Sequence, residues 1–402
     1  MAFLTRCAAF CLVLLSASVH AQDLAPTRAT SVRIVDADSP VFLAARDRAP
    51  RRGTIALGTH LPLLGRVRGG GCPTGVWAQV GESLYICDRR VEYTTRPASG
   101  YNHPRIRPGE LLPFNYGFVS MDGVRAFSHP QDYFTDDYYE ALGAGFGVIV
   151  AGRESYEGMR FIRTRRRLYI PAQSVRMARG SDFAGVTLEE GALNVAWVSA
   201  RQTSVRERPR GRSLRTLAKR TAVRIGEPER GWVELAEGGF VRTRDLRIAE
   251  LTERPEEVED SGTWIDMDVS SQILVAYRGD TPVFTTLISS GRAGRHHATP
   301  LGTHRIWVKL AFSDMDNLQR QNVSRNYAIE RVPWVQYFAR ANGLHAAFWH
   351  DDFGRRKSHG CINLSPRDAR TLFEFTEPRL PVGWTAIFPR EDEPTTYVRV
   401  RP

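Results

Sequence analysis

Gly343-Leu344-His345-Ala346-Ala347-Phe348-Trp349-His350-Asp351-Asp352-Phe353-Gly354-Arg355-Arg356-Lys357-Ser358-His359-Gly360-Cys361-Ile362-Asn363-Leu364 is the stretch on which the reading of this chain turns. One cysteine sits in a Ser-His-Gly-Cys-Ile-Asn box, and a second histidine lies sixteen positions upstream of it. A thiol titrates near pH ~8.5, so a nucleophilic cysteine needs a base within reach and donors that favour the thiolate. His345 and His359 are the candidates. On an extended strand, side chains two residues apart point the same way, which makes His359 a neighbour of Cys361 without making it the base. Leu344 to Trp349 reads as a strand and Asp351 to Gly354 as a turn. A hairpin-like return of the following basic loop sets His345 beside Cys361 on the adjacent strand. Backbone N–H groups around Gly360 and Cys361 are then placed to meet an oxyanion, and Gly360 lets the backbone approach a reacting group.

These residues resemble the active-site motif of the L,D-transpeptidases, bacterial cell-wall enzymes. That motif has a histidine, a loop, then Ser/Thr-His-Gly-Cys, a hydrophobic residue and Arg or Asn, here Asn363. Ser289-Ser290-Gly291 followed by Thr299-Pro300-Leu301-Gly302-Thr303-His304-Arg305-Ile306 is similar to a second block of the family, with His304 where an aromatic is usual. The resemblance runs from about Gly262 to Pro389. It implies a β-rich domain in which Cys361 attacks a stem-peptide carbonyl of peptidoglycan and His345 takes the thiol proton. Ser358 and His359 orient the site, Gly360 helps with the oxyanion, and Asn363 holds the box. Arg355, Arg356 and Trp349 are candidate substrate contacts, and Lys357 shares their basic loop. The acyl acceptor is a neighbouring stem amine, giving a 3-3 cross-link, or a lipoprotein or outer-membrane protein; water in its place would make the enzyme a hydrolase. A papain-like peptidase places cysteine before histidine in the chain, the reverse of the order here. A wall-binding protein with a dead site would have no need of an intact Cys-His pair.

Other readings of the box are weaker. An inert buried cysteine has no need of flanking glycine, serine and histidine. His345, His350, His359 and Cys361 have zinc-ligand chemistry, but their spacing is not that of the common Cys/His zinc patterns. No metal or cofactor is expected. His296-His297 reads as a solvated loop pair.

Met1 to Ala21 has one arginine, an apolar run from Ala8 to Leu15 and Val19-His20-Ala21 before Gln22. That is the pattern of a secretory signal over 1–21, too short for a permanent membrane span. Cys7 and Cys11 leave with it. In an oxidising compartment, the periplasm or cell envelope, Cys72 and Cys87 are the natural disulfide and Cys361 is the thiol left over.

The formal charge is +11, and lysine occurs only at Lys219, Lys309 and Lys357. The arginines are scattered through every segment rather than gathered on one helix or beside stacking aromatics, which argues against nucleic acid. Anionic envelope polymers or membrane surfaces suit an exported basic protein better.

Upstream of the box one pattern occurs three times. Ile55-Gly58-Leu61-Leu63, Leu142-Gly145-Val148-Val150 and Leu217-Arg220-Val223-Ile225 share their spacing. Each is followed by a closing strand and a further apolar residue: Leu84-Tyr85-Ile86 with Val91, Leu168-Tyr169-Ile170 with Val175, and Gly239-Phe240-Val241 with Leu246. Short alternating strands at this period predict small β-barrels over 31–95, 114–178 and 192–249. The third, with Thr203 to Pro209 and Gly231-Trp232-Val233, resembles the bacterial Src-homology-3-like domain, and the first is similar through Val76-Trp77 and Tyr85-Ile86-Cys87. Trp77 and Trp232 are expected in cores. The middle copy carries an insert, Asp132 to Glu140, that reads as a surface helix with inward aromatics.

Arg96 to Glu110, Ala178 to Gly191 and Glu250 to Ser261 have linker composition. The catalytic segment, 262–390, is predicted to open with strands at Trp264–Val269, Gln272–Tyr277 and Val283–Ile288. Helices are expected at Arg331–Ala341 and at Pro366–Thr376, the latter capped by Ser365. Ala311 to Arg331 reads as a lid loop. The expected fold class is therefore mostly β, tandem Src-homology-3-like barrels followed by a β-rich L,D-transpeptidase domain with few helices.

Overall fold

The computed structural model describes residues 27–189, 191–294, 297–319 and 326–402. The expected signal segment and His296 lie outside them. Strands dominate, and the α-helices among the described residues are Asp132–Thr135 and Pro366–Phe375. No helix there is long and apolar enough to cross a membrane.

The threefold pattern has a structural counterpart. Strands Leu84–Cys87, Tyr169–Pro171 and Phe240–Arg242 are each followed by a three-residue 3-10 turn and then by strands Val91–Thr94, Val175–Met177 and Leu246–Ile248. Separate apolar clusters gather around Ile34 and Ile86, around Val148 and Ile170, and around Val205 and Val241. Cys72 and Cys87 are joined by a disulfide. Trp77 is buried, whereas Trp232 is half-buried under the Arg242 guanidinium. The insert differs from expectation: its helix is the single turn Asp132–Thr135, and Phe134, Tyr138 and Tyr139 are exposed while Tyr133 packs edge-on against Phe127 and Phe161. Nine residues that spend four on one turn cannot hold four aromatics on one helix face.

The catalytic segment is built from two sheets with one helix. In the first sheet, strands Val186–Thr187, Thr281–Leu287, Ile273–Arg278, Thr263–Asp268, Tyr397–Arg401 and Gly302–Arg305 lie side by side in that order. In the second, Ala328–Ala339 pairs with Val308–Asp316 and with Asn342–Ala346, and the last of these pairs with Ile362–Leu364. Ile265, Met267, Leu274 and Val398 of the first sheet meet Trp334, Phe338, Leu344 and Ile362 of the second, closed by Leu372 and Phe373 of the helix.

Two expectations are corrected here. Arg331–Ala341 is not a helix but most of the strand Ala328–Ala339. Trp334 and Phe338 enter the inter-sheet core while Val332 and Val335 pack on the opposite cluster, so the strand is buried on both faces. Such a strand reads as a continuous apolar run that periodicity cannot separate from a helix. Positive φ at Arg331 and Trp334 further breaks the alternation. Both ends of the expected lid loop Ala311–Arg331 instead belong to the paired strands Val308–Asp316 and Ala328–Ala339, with positions 320–325 outside the described residues.

The helix Pro366–Phe375 follows its sequence signals. Ser365 Oγ accepts from Asp368 N–H at 3.1 Å and Pro366 occupies the first turn. Its last carbonyls meet a buried amine: Lys309 Nζ, whose pKa burial pushes down to about 7, donates to the carbonyls of Phe373 and Thr376 at 2.8 and 2.7 Å, which satisfies acceptors a helix end otherwise leaves open. Ser365→Ala should cost about 1 kcal/mol of stability. A urea midpoint unchanged from wild type would count against the cap.

The linkers do not stand off as spacers. Ile106 packs on the inter-sheet core, Val186–Thr187 adds the edge strand to the first sheet, and Val258 is buried beside Trp264. Val195 and Trp197 share that last cluster with Ala347 and Phe353 of the box region. On another side, Tyr116 stacks on Phe348 with ring centroids 4.0 Å apart, and its hydroxyl donates to the Arg331 carbonyl at 2.7 Å. Arg51–Ile55 pairs with Trp384–Ile387. The N-terminal segments thus brace the strands that carry the box.

Candidate active site

The two halves of the box meet on neighbouring strands, but in parallel rather than as a hairpin. Leu344 is in register with Ile362, His345 with Asn363 and Ala346 with Leu364. The intervening loop crosses back over the sheet before the second strand begins. Leu344, Ala346, Ile362 and Leu364 all enter the inter-sheet core. Strand alternation therefore sends His345, Asn363 and, by continuation, Cys361 to the opposite face. Cys361 lies beside the start of the His345 strand, its sulfur 3.7 Å from the Ala341 carbonyl, and it is half-buried and outside the disulfide.

His345 is buried, and burial pushes its ring down to about pKa 4, opposed by its hydrogen bond to Ala346. Its Nδ1 lies 3.0 Å from the Ala346 carbonyl. A carbonyl only accepts, so Nδ1 carries the proton and Nε2 keeps the lone pair. The resting ring is thus a neutral proton acceptor. Trp349 packs on it with ring centroids 5.8 Å apart.

Ser358 locks the turn before the thiol. Its hydroxyl donates to the Cys361 carbonyl at 2.5 Å and its oxygen accepts from Gly360 N–H at 3.1 Å. Thr299 Oγ1 donates to the Gly360 carbonyl and accepts from Gly291 N–H, both at 2.9 Å, tying the Ser-Ser-Gly and Thr-Pro block to the box. Gly360 has φ +125°, and a Cβ there would fall 2.2 Å from Asn342 Oδ1. The glycine serves this close approach, while its N–H is engaged by Ser358.

Other expected residues are placed as follows. His359 is exposed, stacks on Tyr327 with centroids 5.7 Å apart, and meets His297 edge-on at 4.6 Å. His297 is therefore not simply a solvated loop residue. Arg355 and Arg356 are exposed. After burial, Arg355 is the largest cause of lowered pKa values at Lys219 and Arg247, so it faces the 192–249 segment. Lys357 pairs with Asp352 at 2.7 Å.

The sequence offered His350 only as one of four possible zinc ligands and gave no signal for Tyr337. Tyr337 lies on the strand Ala328–Ala339, and its phenol pKa is raised by burial, with the Cys361 side chain near enough to add to the shift. His350 Nδ1 accepts from Asp352 N–H at 3.2 Å, and its Nε2 lies 2.9 Å from the Asn363 amide. Burial, then Lys357, pushes this ring to about pKa 4. The Asn363 atom at this distance is Nδ2, so the pair is an amide–imidazole hydrogen bond whose direction follows the tautomer of the ring. Both ring nitrogens are thus used in holding Asn363 and the turn, and the only signal for this was the histidine's place at the start of the loop.

Residues 262–383 match the L,D-transpeptidase catalytic domain family. Among solved structures, an Enterococcus faecium L,D-transpeptidase carrying a cysteine-to-serine substitution is 23% identical over 36% of this chain and 50% of its own, with a TM-score of 0.27. An L,D-transpeptidase from Stackebrandtia nassauensis is 22% identical over 36% of this chain and 58% of its own, with a TM-score of 0.26. One from Mycobacterium smegmatis is 16% identical over 63% of this chain and 99% of its own, with a TM-score of 0.29. The chain spans about half the length of the first and less than two thirds of the second. No curated protein sequence matches it.

Proposed function

We propose that the L,D-transpeptidase catalytic domain matched at residues 262–383 transfers acyl groups between peptidoglycan stem peptides, with Cys361 as nucleophile and His345 as base. The observation that supports this reading is the parallel register of the His345 strand with the strand that begins directly after Cys361, together with the Nδ1 hydrogen bond that leaves the lone pair on Nε2. The Cys361 thiol passes its proton to His345 Nε2 as sulfur bonds to the donor peptide carbonyl. Because burial disfavours a standing imidazolium, proton transfer accompanies attack rather than preceding it. Collapse of the tetrahedral intermediate expels the terminal D-alanine, whose amine takes the proton back from His345. An acceptor amine then bonds to the thioester carbonyl and loses its proton to the same ring; the C–S bond breaks, and the ring returns that proton to the departing Cys361 sulfur. The acceptor is a neighbouring stem peptide, forming a 3-3 cross-link, or a lipoprotein or outer-membrane protein. The working location is the periplasm or cell envelope, reached by the secretory signal read at 1–21.

Mass analysis of muropeptides incubated with the full chain tests this. New cross-linked dimers with wild type and none with Cys361→Ser are expected. Shortened monomers alone would replace transfer by hydrolysis, and equal products from Cys361→Ser would remove the nucleophile.

A further inference from the structure

The loop between the two halves of the box is gripped from outside the catalytic segment. Arg220, in the turn between strands Ser213–Ala218 and Ala222–Arg224, donates from Nη1 to Asp351 Oδ1 at 2.5 Å, and also reaches Asp351 Oδ2 and the Asp351 carbonyl. Ser181, from the supposed linker, donates to the same carboxylate. Arg220 is the first cause holding the Asp351 carboxyl below its usual range. Two residues on, Phe353 is fully buried, stacked on Phe183 with centroids 5.7 Å apart and sharing a cluster with Trp197. The Arg220 guanidinium lies over the Phe183 ring.

Asp351 sits between two residues that touch the reacting strand. On one side, His350 holds the Asn363 amide. On the other, the Asp352 carbonyl accepts from Ser289 Oγ at 3.1 Å, and Ser289 exchanges backbone hydrogen bonds with Asn363 at 2.9 and 3.0 Å. Asn363 is two residues from Cys361. A short path therefore runs from Arg220 by hydrogen bonds to Asp351, along the chain to His350, and by a hydrogen bond to Asn363 on the strand next to the thiol.

We propose that Arg220 is a positioning residue of the acyl-transfer site: by clamping Asp351 it fixes the loop that sets His350 against Asn363, so the 192–249 segment is part of the active-site scaffold. The Asp351 carboxylate is more than half exposed, and such pairs contribute little to global stability. Its effect is geometric, and a small misplacement of reacting groups costs rate far more than it costs folding.

The inference rests on the proposed function for its reaction, but its test does not need turnover. In the full chain, acylation of Cys361 by a carbapenem is followed by mass and resolved into a maximal rate and a half-saturating concentration. Arg220→Ala should lower the maximal rate between about ten- and a hundredfold, with half-saturation and melting temperature little changed. The His350 ring resonances should shift. Arg220→Lys, keeping charge but losing the fork, should recover part of the rate. Asp351→Asn should match Arg220→Ala, and the double variant should be no worse than either single. Arg215→Ala, which breaks an exposed pair with Glu237 on the same segment, should leave the rate unchanged. Wild-type acylation in Arg220→Ala and Asp351→Asn overturns the proposal. So does a loss that merely tracks the melting temperature across the set. If Arg220→Ala fails to fold, Arg220→Lys and Asp351→Asn decide by the same readouts. Absence of muropeptide products from wild type, with these acylation differences intact, removes the proposed function and leaves the clamp standing.

Discussion

His345→Gln is expected to slow acylation of Cys361 by about 10²- to 10⁴-fold, the range general-base catalysis supplies, while leaving the fold in place. Glutamine keeps a donor for the Ala346 carbonyl, which now takes the proton on Nδ1, but has no imidazole lone pair to receive the thiol proton. Because the ring is held neutral by burial, the wild-type rate should persist on the acid side of the usual histidine range instead of falling near pH 6.5. Stopped-flow acylation by a carbapenem over pH 5–8 reads both features. A variant that acylates like wild type would reassign the base, with His359 the next candidate by proximity in sequence.

Acidification should destabilise the chain between about pH 6.5 and 4. Both His345 and His350 are pushed to about pKa 4 with burial as the first cause, whereas in the unfolded chain each titrates near ~6.5. Below ~6.5 the unfolded chain binds protons the folded one refuses, so their contribution is fully present above that pH and is lost as pH falls toward 4. At about 1.4 kcal/mol per pH unit, each ring accounts for roughly 3 kcal/mol over the window. Asp368 acts in the opposite sense. Burial raises its carboxyl to about 6, so the folded chain gains a proton first and recovers roughly 3 kcal/mol as pH falls. The net expected loss is on the order of 3–4 kcal/mol, a large part of ordinary domain stability. Urea midpoints at pH 7.0 and 4.5 should differ accordingly, and in the His345→Gln, His350→Gln double variant the sign should reverse, leaving the gain on acidification that Asp368 supplies. An unchanged difference would place the acid sensitivity elsewhere.

How much of the site was legible follows from how local each feature is. The Ser-His-Gly-Cys-Ile-Asn box and the Ser365 cap are set by side chains a few residues apart, and the upstream histidine lies sixteen positions away in the same stretch, so their spacing made them legible. The strand–turn–strand repeat was visible for the same reason: alternation and turn chemistry act within a dozen residues. The strand Ala328–Ala339 was not visible, because burial on both faces removes the alternation that marks a strand. His350, Tyr337 and Arg220 were hidden because their partners are distant in the chain or, as with His350 and Asn363, meet only once the loop between them has folded back.

By itself the amino-acid order determined which atoms have reactive chemistry: one thiol beside glycine and serine, and a histidine at a fixed distance along the chain. Only the tertiary structure decided that the two strands run parallel, that His345 offers Nε2, and that an arginine more than a hundred residues upstream in the sequence closes on the loop between them. The reason is physical. Residue chemistry and short-range periodicity are properties of neighbours in the chain, whereas burial, tautomer and charge pairing are properties of neighbours in space.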